Sequence, residues 1–240
     1  ADWQVHAVIR NLAGSHELQE LATQHGQCLQ LIECDLEQRE AGQLIDRALG
    51  DQPLTCALFN AGVYGPAHQD PRQANSAEIG QLFLANAVAP ISLAQQLAGR
   101  IETGGVMAFI SSQMASLKLA RAAEMPLYGA SKAWLIRLSE TLDQESRSRG
   151  VHVTALCPGM TYTEFHDVNG MREKVSKLPK GIWLTSAEVA RQGVDAVESG
   201  RARIVTGRSN KLIAGLSKYL PDRLARALLA AKAKDFRDAE

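Results

Sequence analysis

The sequence has 240 residues, 45% apolar, 22% charged and 5% aromatic, the composition of a folded globular chain rather than a disordered or fibrous one. Its 26 Lys and Arg balance 26 Asp and Glu, which argues against a protein built to neutralise nucleic-acid phosphates. Four scattered cysteines, Cys28, Cys34, Cys56 and Cys157, form no Cys-x-x-Cys pair, so neither a disulfide framework nor a metal site is expected.

Short β-rich runs alternate with longer helical ones. Residues 4–9 predict a strand, and 15–25 a helix in which Leu18, Leu21 and Ala22 form an apolar stripe that Gly26 ends. A strand at 28–34, a helix at 37–49 and a strand at 54–60 follow, then a long helix at 76–97. Strands at 106–111 and 151–157 flank a helix at 128–149, and a helix at 186–199 precedes a short strand near 204–205. The middle strands are nearly continuous apolar runs, as parallel strands buried on both faces are. This alternation predicts an α/β fold, a doubly wound, Rossmann-like parallel sheet in a single domain spanning 1–240.

The C-terminal end differs in charge. Residues 201–240 carry ten Lys and Arg against four Asp and Glu. A basic helical segment is expected over 205–240, with short helices at 212–216 and 224–229 around Pro221. The opening residues do not read as a signal peptide, and no run approaches 18 uninterrupted apolar residues. No membrane span is expected, and the cytoplasm is the expected compartment.

The polar signals fall at strand ends. Asn60-Ala61-Gly62 follows a buried strand, Asn86 lies inside the long helix, and Ser111-Ser112 ends the next strand. Tyr128-Gly-Ala-Ser-Lys132 opens the helix after it, and Pro158-Gly159 and Thr161 follow the strand after that. Tyr128 and Lys132 are i, i+4 and share one helix face. A free tyrosine has a pKa near 10, and a cation held close lowers it, giving a group able to donate or accept a proton. Ser112 is placed to hydrogen-bond the same substrate oxygen, and strand C-termini are where open α/β sheets bind ligands. Taken singly, Gly62 and Pro158-Gly159 read as ordinary turns, and Tyr128 and Lys132 as a surface aromatic and a solvated charge. Their joint order makes a site.

That order resembles the short-chain dehydrogenase/reductases from about residue 4 to residue 205, most densely over 109–116 and 127–133. The resemblance implies an oxidoreductase that transfers a hydride between NADP(H) and a carbonyl or alcohol substrate. It implies Tyr128 as general acid/base, with Lys132 tuning it and holding the nicotinamide ribose. Ser112 would orient the carbonyl, with Ser111 beside it as the alternative, and Asn86 would support a water-linked proton path to Lys132. Asp35 matches the residue that contacts adenine, and Asn60, Ala61 and Gly62 the segment lining the adenine ribose. Pro158, Gly159 and Thr161 match the loop beside the nicotinamide and phosphates. Tyr64, Gln113, Met114, Met125, Met160 and Tyr162 are expected to border a small-molecule substrate, in a homodimer or homotetramer.

Cofactor choice is read at the first strand. It runs Val5-His-Ala-Val-Ile-Arg10 with no acid to take a ribose 2′-hydroxyl, and Arg10 offers a fork for a 2′-phosphate. NADP(H) is therefore expected over NAD(H). One part of the family pattern is missing: its opening strand and Thr-Gly-x-x-x-Gly-x-Gly turn, for no Gly-rich loop precedes a helix before residue 60. The absent strand would be the central one, between those at 4–9 and 54–60, so the chain is expected to lack an upstream βα unit of about 30 residues. A non-catalytic member that uses the fold for partner binding is the alternative reading.

Overall fold

The computed structural model describes residues 3–66, 69–116, 125–168, 172–176, 179–219, 221 and 224. Strand β1 (Val5–Ile9) pairs in parallel with β2 (Leu29–Glu33), Val5 opposite Leu29 and Ile9 opposite Glu33, through helix α1 (His16–Gln24). A second parallel sheet has the order β3 (Leu54–Phe59), β4 (Ile101–Ile110), β5 (His152–Cys157), β8 (Arg203–Val205). Phe59 stacks on Phe109 across β3 and β4 with ring centroids 4.7 Å apart, and Met107, Val153 and Leu135 complete that core. The α/β doubly wound architecture expected from the sequence is present.

Among the described residues no strand lies between β1 and β3, and the two sheets are separate. They still share one core. Val8, Ile32, Leu54 and Phe59 pack around Ile45, Leu49, Leu93 and Leu97, and His6 Nε2 lies 3.1 Å from Gln52 Oε1. Apolar strand positions that a doubly wound sheet would cover are open: Val5 of β1 is 47% exposed and Leu58 of β3 59% exposed.

The long helix expected over 76–97 is three pieces. Helix α3 (Ser76–Phe83), capped by the Asn75 side chain accepting from the Ala77 N–H at 2.8 Å, runs into a π-helical turn, Leu84–Val88, and then α4 (Ala89–Leu97). Pro90 has no N–H for the Asn86 carbonyl and its ring needs room against that turn, which explains the wider turn. The run 76–100 is long and apolar enough to cross a membrane, but Leu82, Ala85, Leu93, Ala94 and Leu97 are buried against protein. It is a core helix.

Helix α2 (Ala41–Leu49) starts later than the expected residue 37, because the Asp35 carboxylate accepts from the Glu37 N–H at 3.0 Å and holds a turn there. Strand β4 starts five residues before the expected 106, across a register shift opposite Leu54 and Cys56. Helix α5 (Pro126–Ser146) is tied to β5 by Asp143, which accepts from the Val153 N–H at 3.1 Å and from Arg147 at 2.8 Å. Beyond β5 lie elements that apolar periodicity did not show: β6 (Thr161–Tyr162), α6 (Phe165–Val168), α7 (Arg172–Ser176) and β7 (Leu184–Thr185). Helix α8 (Ser186–Glu198) opens on a Thr185–Glu188 capping box. Helix α9 (Arg208–Tyr219) contains the short helix expected at 212–216, while most of the one expected at 224–229 lies outside the described residues.

Candidate active site

The C-terminal ends of β3, β4 and β5 meet the start of α5. Tyr128 is fixed at that start: its backbone N–H donates to Gln69 Oε1 at 2.9 Å, and its ring stacks on Tyr64 at 5.6 Å. Its hydroxyl is hydrogen-bonded to Ser112. Burial pushes the Tyr128 pKa up to about 12, with the Ser112 bond pulling the other way. One helical turn on, Lys132 is 3% exposed and its Nζ donates to the Ile110 carbonyl at 3.0 Å. Burial pulls its pKa down to about 8. Tyr128 is thus held as a protonated phenol here, rather than as the lowered-pKa group that pairing with a cation alone predicts, because loss of water outweighs the other influences.

The two neighbouring serines divide clearly. Ser111 Oγ donates to the Lys132 carbonyl at 2.7 Å and braces α5, whereas Ser112 meets Tyr128 and accepts from the Met114 N–H at 3.2 Å. Asn86, fully buried in the π-helical turn, accepts from the Val63 N–H at 2.7 Å and donates to the Val63 carbonyl at 2.8 Å and Ser131 Oγ at 3.1 Å. Those bonds bring Gly62 over the lysine: a Cβ there would sit 2.7 Å from Lys132 Nζ and 3.0 Å from Asn86 Oδ1. Asn86, Gly62, Ser112, Tyr128 and Lys132 therefore form one cluster.

The loop after β5 closes the other side. The Gln113 N–H donates to the Pro158 carbonyl at 2.8 Å, and Thr161 Oγ1 donates to the Gly159 carbonyl at 2.9 Å. A side chain at Gly159 would collide with Asn210 and Gln113. Asn60 and Ala61 are exposed just past β3, while Arg10 and Asp35 follow the ends of β1 and β2, in the other sheet. Sequence reasoning missed Gln69, Phe165, His166 and Trp183. Phe165 lies 6.1 Å from the Tyr128 ring, and with only 12 Phe, Trp and Tyr in the chain, the grouping of Tyr162, Phe165 and Trp183 was an available signal.

The sequence profile described as short chain dehydrogenase matches residues 1–173. The chain belongs to the short-chain dehydrogenase family. Within it, the chain is similar to a carbonyl reductase from Pseudomonas aeruginosa PAO1, 38% identical, with a TM-score of 0.71 and 87% of each chain covered. The same carbonyl reductase solved in complex with NADP is 37% identical, with a TM-score of 0.68, over 87% of this chain and 86% of that one. The uncharacterized oxidoreductase YgfF of Escherichia coli (strain K12) is 24% identical over 216 residues, 86% of each chain. The short-chain dehydrogenase fold brings with it a nicotinamide cofactor, and the residues suit one end of it. The glycine at 62 leaves backbone open beside Lys132, and Asn60 and Ala61 are exposed on the same strand end. The phosphate end differs, since no Gly-rich turn stands between β1 and β3 among the described residues.

Proposed function

We propose that this short-chain dehydrogenase is an NADP(H)-dependent reductase of carbonyl compounds, and in reverse a dehydrogenase of the matching alcohols. The observation that carries this is the buried Tyr128–Ser112 hydroxyl pair with Lys132 one turn away. Bound NADPH would supply two electrons as a hydride to the carbonyl carbon and leave as NADP+. The carbonyl oxygen would accept hydrogen bonds from Ser112 and Tyr128, which stabilise the negative charge that grows on it. Tyr128, protonated because it is buried, would give that oxygen its proton and complete the alcohol. Lys132 would stabilise the phenolate left behind and hold the nicotinamide ribose, and Asn86 would keep Gly62 clear of it while linking Lys132 to solvent protons.

On the nucleotide side, Gly62, Asn60, Ala61 and Asp35 would line the adenosine, and Pro158, Gly159 and Thr161 the nicotinamide and phosphates. Arg10, exposed beyond β1 with no acid beside it in the strand, supports a 2′-phosphate and so NADP(H) over NAD(H). All four cysteines are free, which suits a reducing cytoplasm. Leu84 and Val88 on one helix and Trp134 on another are exposed apolar groups, which supports a homodimer or homotetramer of single-domain chains. The test is NADPH oxidation by the purified protein across a panel of ketones and aldehydes. Tight NADPH binding without turnover of any of them would overturn the reductase reading.

A second reading, a non-catalytic member that binds a partner, is favoured by one observation: among the described residues, the seam between β1 and β3 holds no phosphate-binding turn. Dinucleotide titration separates the two, because the partner-binding reading requires none.

A further inference from the structure

Helix α9 is inside out. Its inward face carries Asn210 and Ser217, both buried, and the Asn210 side-chain amide donates to the Ile182 carbonyl at 3.1 Å. Its large apolar side chains face water instead: Leu212 is 65% exposed, Leu216 55% and Tyr219 80%. Spaced i, i+4 and i+7, these three fall on one helical face, within an arc of about 60°. Leu224, just beyond the helix, is exposed as well. A basic edge runs beside this stripe. Lys211 and Lys218 are exposed and seven residues apart, so they share one side of it, and the Lys218 ammonium lies 5.7 Å from the centre of the Tyr219 ring.

At the head of α9 a cavity of about 420 Å³ opens against α8 and the approach to β7, and Arg191, Arg208 and Lys211 line it. The acid in its wall, Glu188, is already engaged, accepting from the Thr185 N–H at 2.8 Å and the Thr185 hydroxyl at 2.9 Å. Charge is divided on the scale of the whole chain. Residues 201–240 hold ten Lys and Arg against four Asp and Glu, whereas residues 1–200 hold 16 against 22.

We propose that α9 docks the protein on an anionic phospholipid surface, with Leu212, Leu216 and Tyr219 in the interfacial layer and a headgroup phosphate among Arg191, Arg208 and Lys211. An apolar stripe edged by lysines and holding a tyrosine is what a helix lying in the plane of a bilayer surface needs. A second copy of the chain would cover the stripe but set two basic ends against each other. An anionic surface answers both the stripe and the charge. The same surface repels the acidic balance of residues 1–200, which turns the chain so that α9 meets the lipid.

The test is sedimentation of the full chain with vesicles of phosphatidylcholine and phosphatidylglycerol in equal parts, and with vesicles of phosphatidylcholine alone. We expect binding to the anionic vesicles only, weakened by salt. The pair Leu212→Ser and Leu216→Ser, and separately the pair Lys211→Gln and Lys218→Gln, should each lower the partition coefficient about tenfold. Leu216→Phe keeps the stripe apolar and should hold binding within about twofold of the parent. All four positions are exposed, so melting temperatures should stay with the parent; if the serine pair falls below it, the glutamine pair decides alone. Binding as strong in the deciding pair as in the parent would overturn α9 as the docking face. So would equal binding to both kinds of vesicle, or none to the anionic ones. A dimer that the serine pair dissociates, in place of vesicle binding, would give the face to a second copy and sink the proposal.

Discussion

Asn86 holds Val63 by both of its backbone groups: its Oδ1 accepts the Val63 N–H at 2.7 Å and its Nδ2 donates to the Val63 carbonyl at 2.8 Å. A buried amide thus does what a neighbouring strand would, and it fixes the loop that carries Gly62 above Lys132. Asn86→Ala leaves those groups short of partners, at a cost of about 2–4 kcal/mol. Urea titration should show the midpoint fall with an unchanged slope. A stability within experimental error of the parent would show that the loop is held by other means.

The Tyr128–Ser112 pair makes a sharper claim. Tyr128→Phe keeps the ring and its stacking on Tyr64 but removes the proton, so reduction should slow by about two to four orders of magnitude while folding is kept. Ser112→Ala should cost less, about two orders, because one of two donors to the substrate oxygen remains. Steady-state turnover under saturating NADPH measures both. Near-normal rates in Tyr128→Phe would remove the mechanism.

The sheet and the grouping of Asn86, Ser112, Tyr128 and Lys132 were legible for different reasons. Buried parallel strands such as β3 and β5 betray themselves as continuous apolar runs, and the order of Asn86, Ser112, Tyr128 and Lys132 along the chain can be read without knowing any distance. What stayed hidden depends on burial and contact. The π-helical turn at Leu84–Val88 follows from Pro90 clashing in three dimensions, and helical periodicity does not report it. The raised pKa of Tyr128 comes from lost water rather than from its i+4 lysine. Phe165 and Trp183 sit in short irregular elements without apolar periodicity, so only the fold shows them facing Tyr128 and His166.

Arg10 stands exposed beyond β1, at the sheet end where nucleotides bind. If it forks onto a 2′-phosphate, Arg10→Ala should weaken NADPH about tenfold to a hundredfold and leave NADH nearly unchanged. Calorimetric titration of both cofactors reads this. Equal losses would make Arg10 structural and remove the preference for NADP(H).

Lys132 links catalysis to pH-dependent stability. Its folded pKa of about 8 lies below the ordinary 10.5, so below pH 8 folding must bury a charged ammonium. Between about 8 and 10.5 the folded protein has lost a proton that the unfolded chain still holds, so stability rises with pH across that window, by about 3 kcal/mol. Tyr128 acts in the opposite sense only above 10, where the unfolded phenol ionises and the folded one, at about 12, does not. The stability of the parent relative to Lys132→Met should therefore climb from pH 8 to 10.5. A flat difference across that range would mean that the lysine is not buried as a cation.

The seam between β1 and β3 can be tested amide by amide. The Val5 N–H donates to the Cys28 carbonyl at 2.7 Å, and the Ile9 carbonyl accepts from the Cys34 N–H at 2.8 Å, so Val5 and Ile9 face β2. Neighbouring residues of a strand alternate sides, which places Ala7 with them and turns His6 and Val8 toward the seam. On the other side, β3 is the end strand of its sheet, and Leu58 on it is 59% exposed. An open edge leaves His6 and Val8 amides to water, and hydrogen exchange there should run at least about tenfold faster than at Ala7. A parallel strand seated in the seam, from whichever chain supplies it, would pair these groups. Exchange at His6 and Val8 as slow as at Ala7 would show that the edge is covered in solution, and a rise in melting temperature on adding NADPH would then show the completed sheet binding its cofactor.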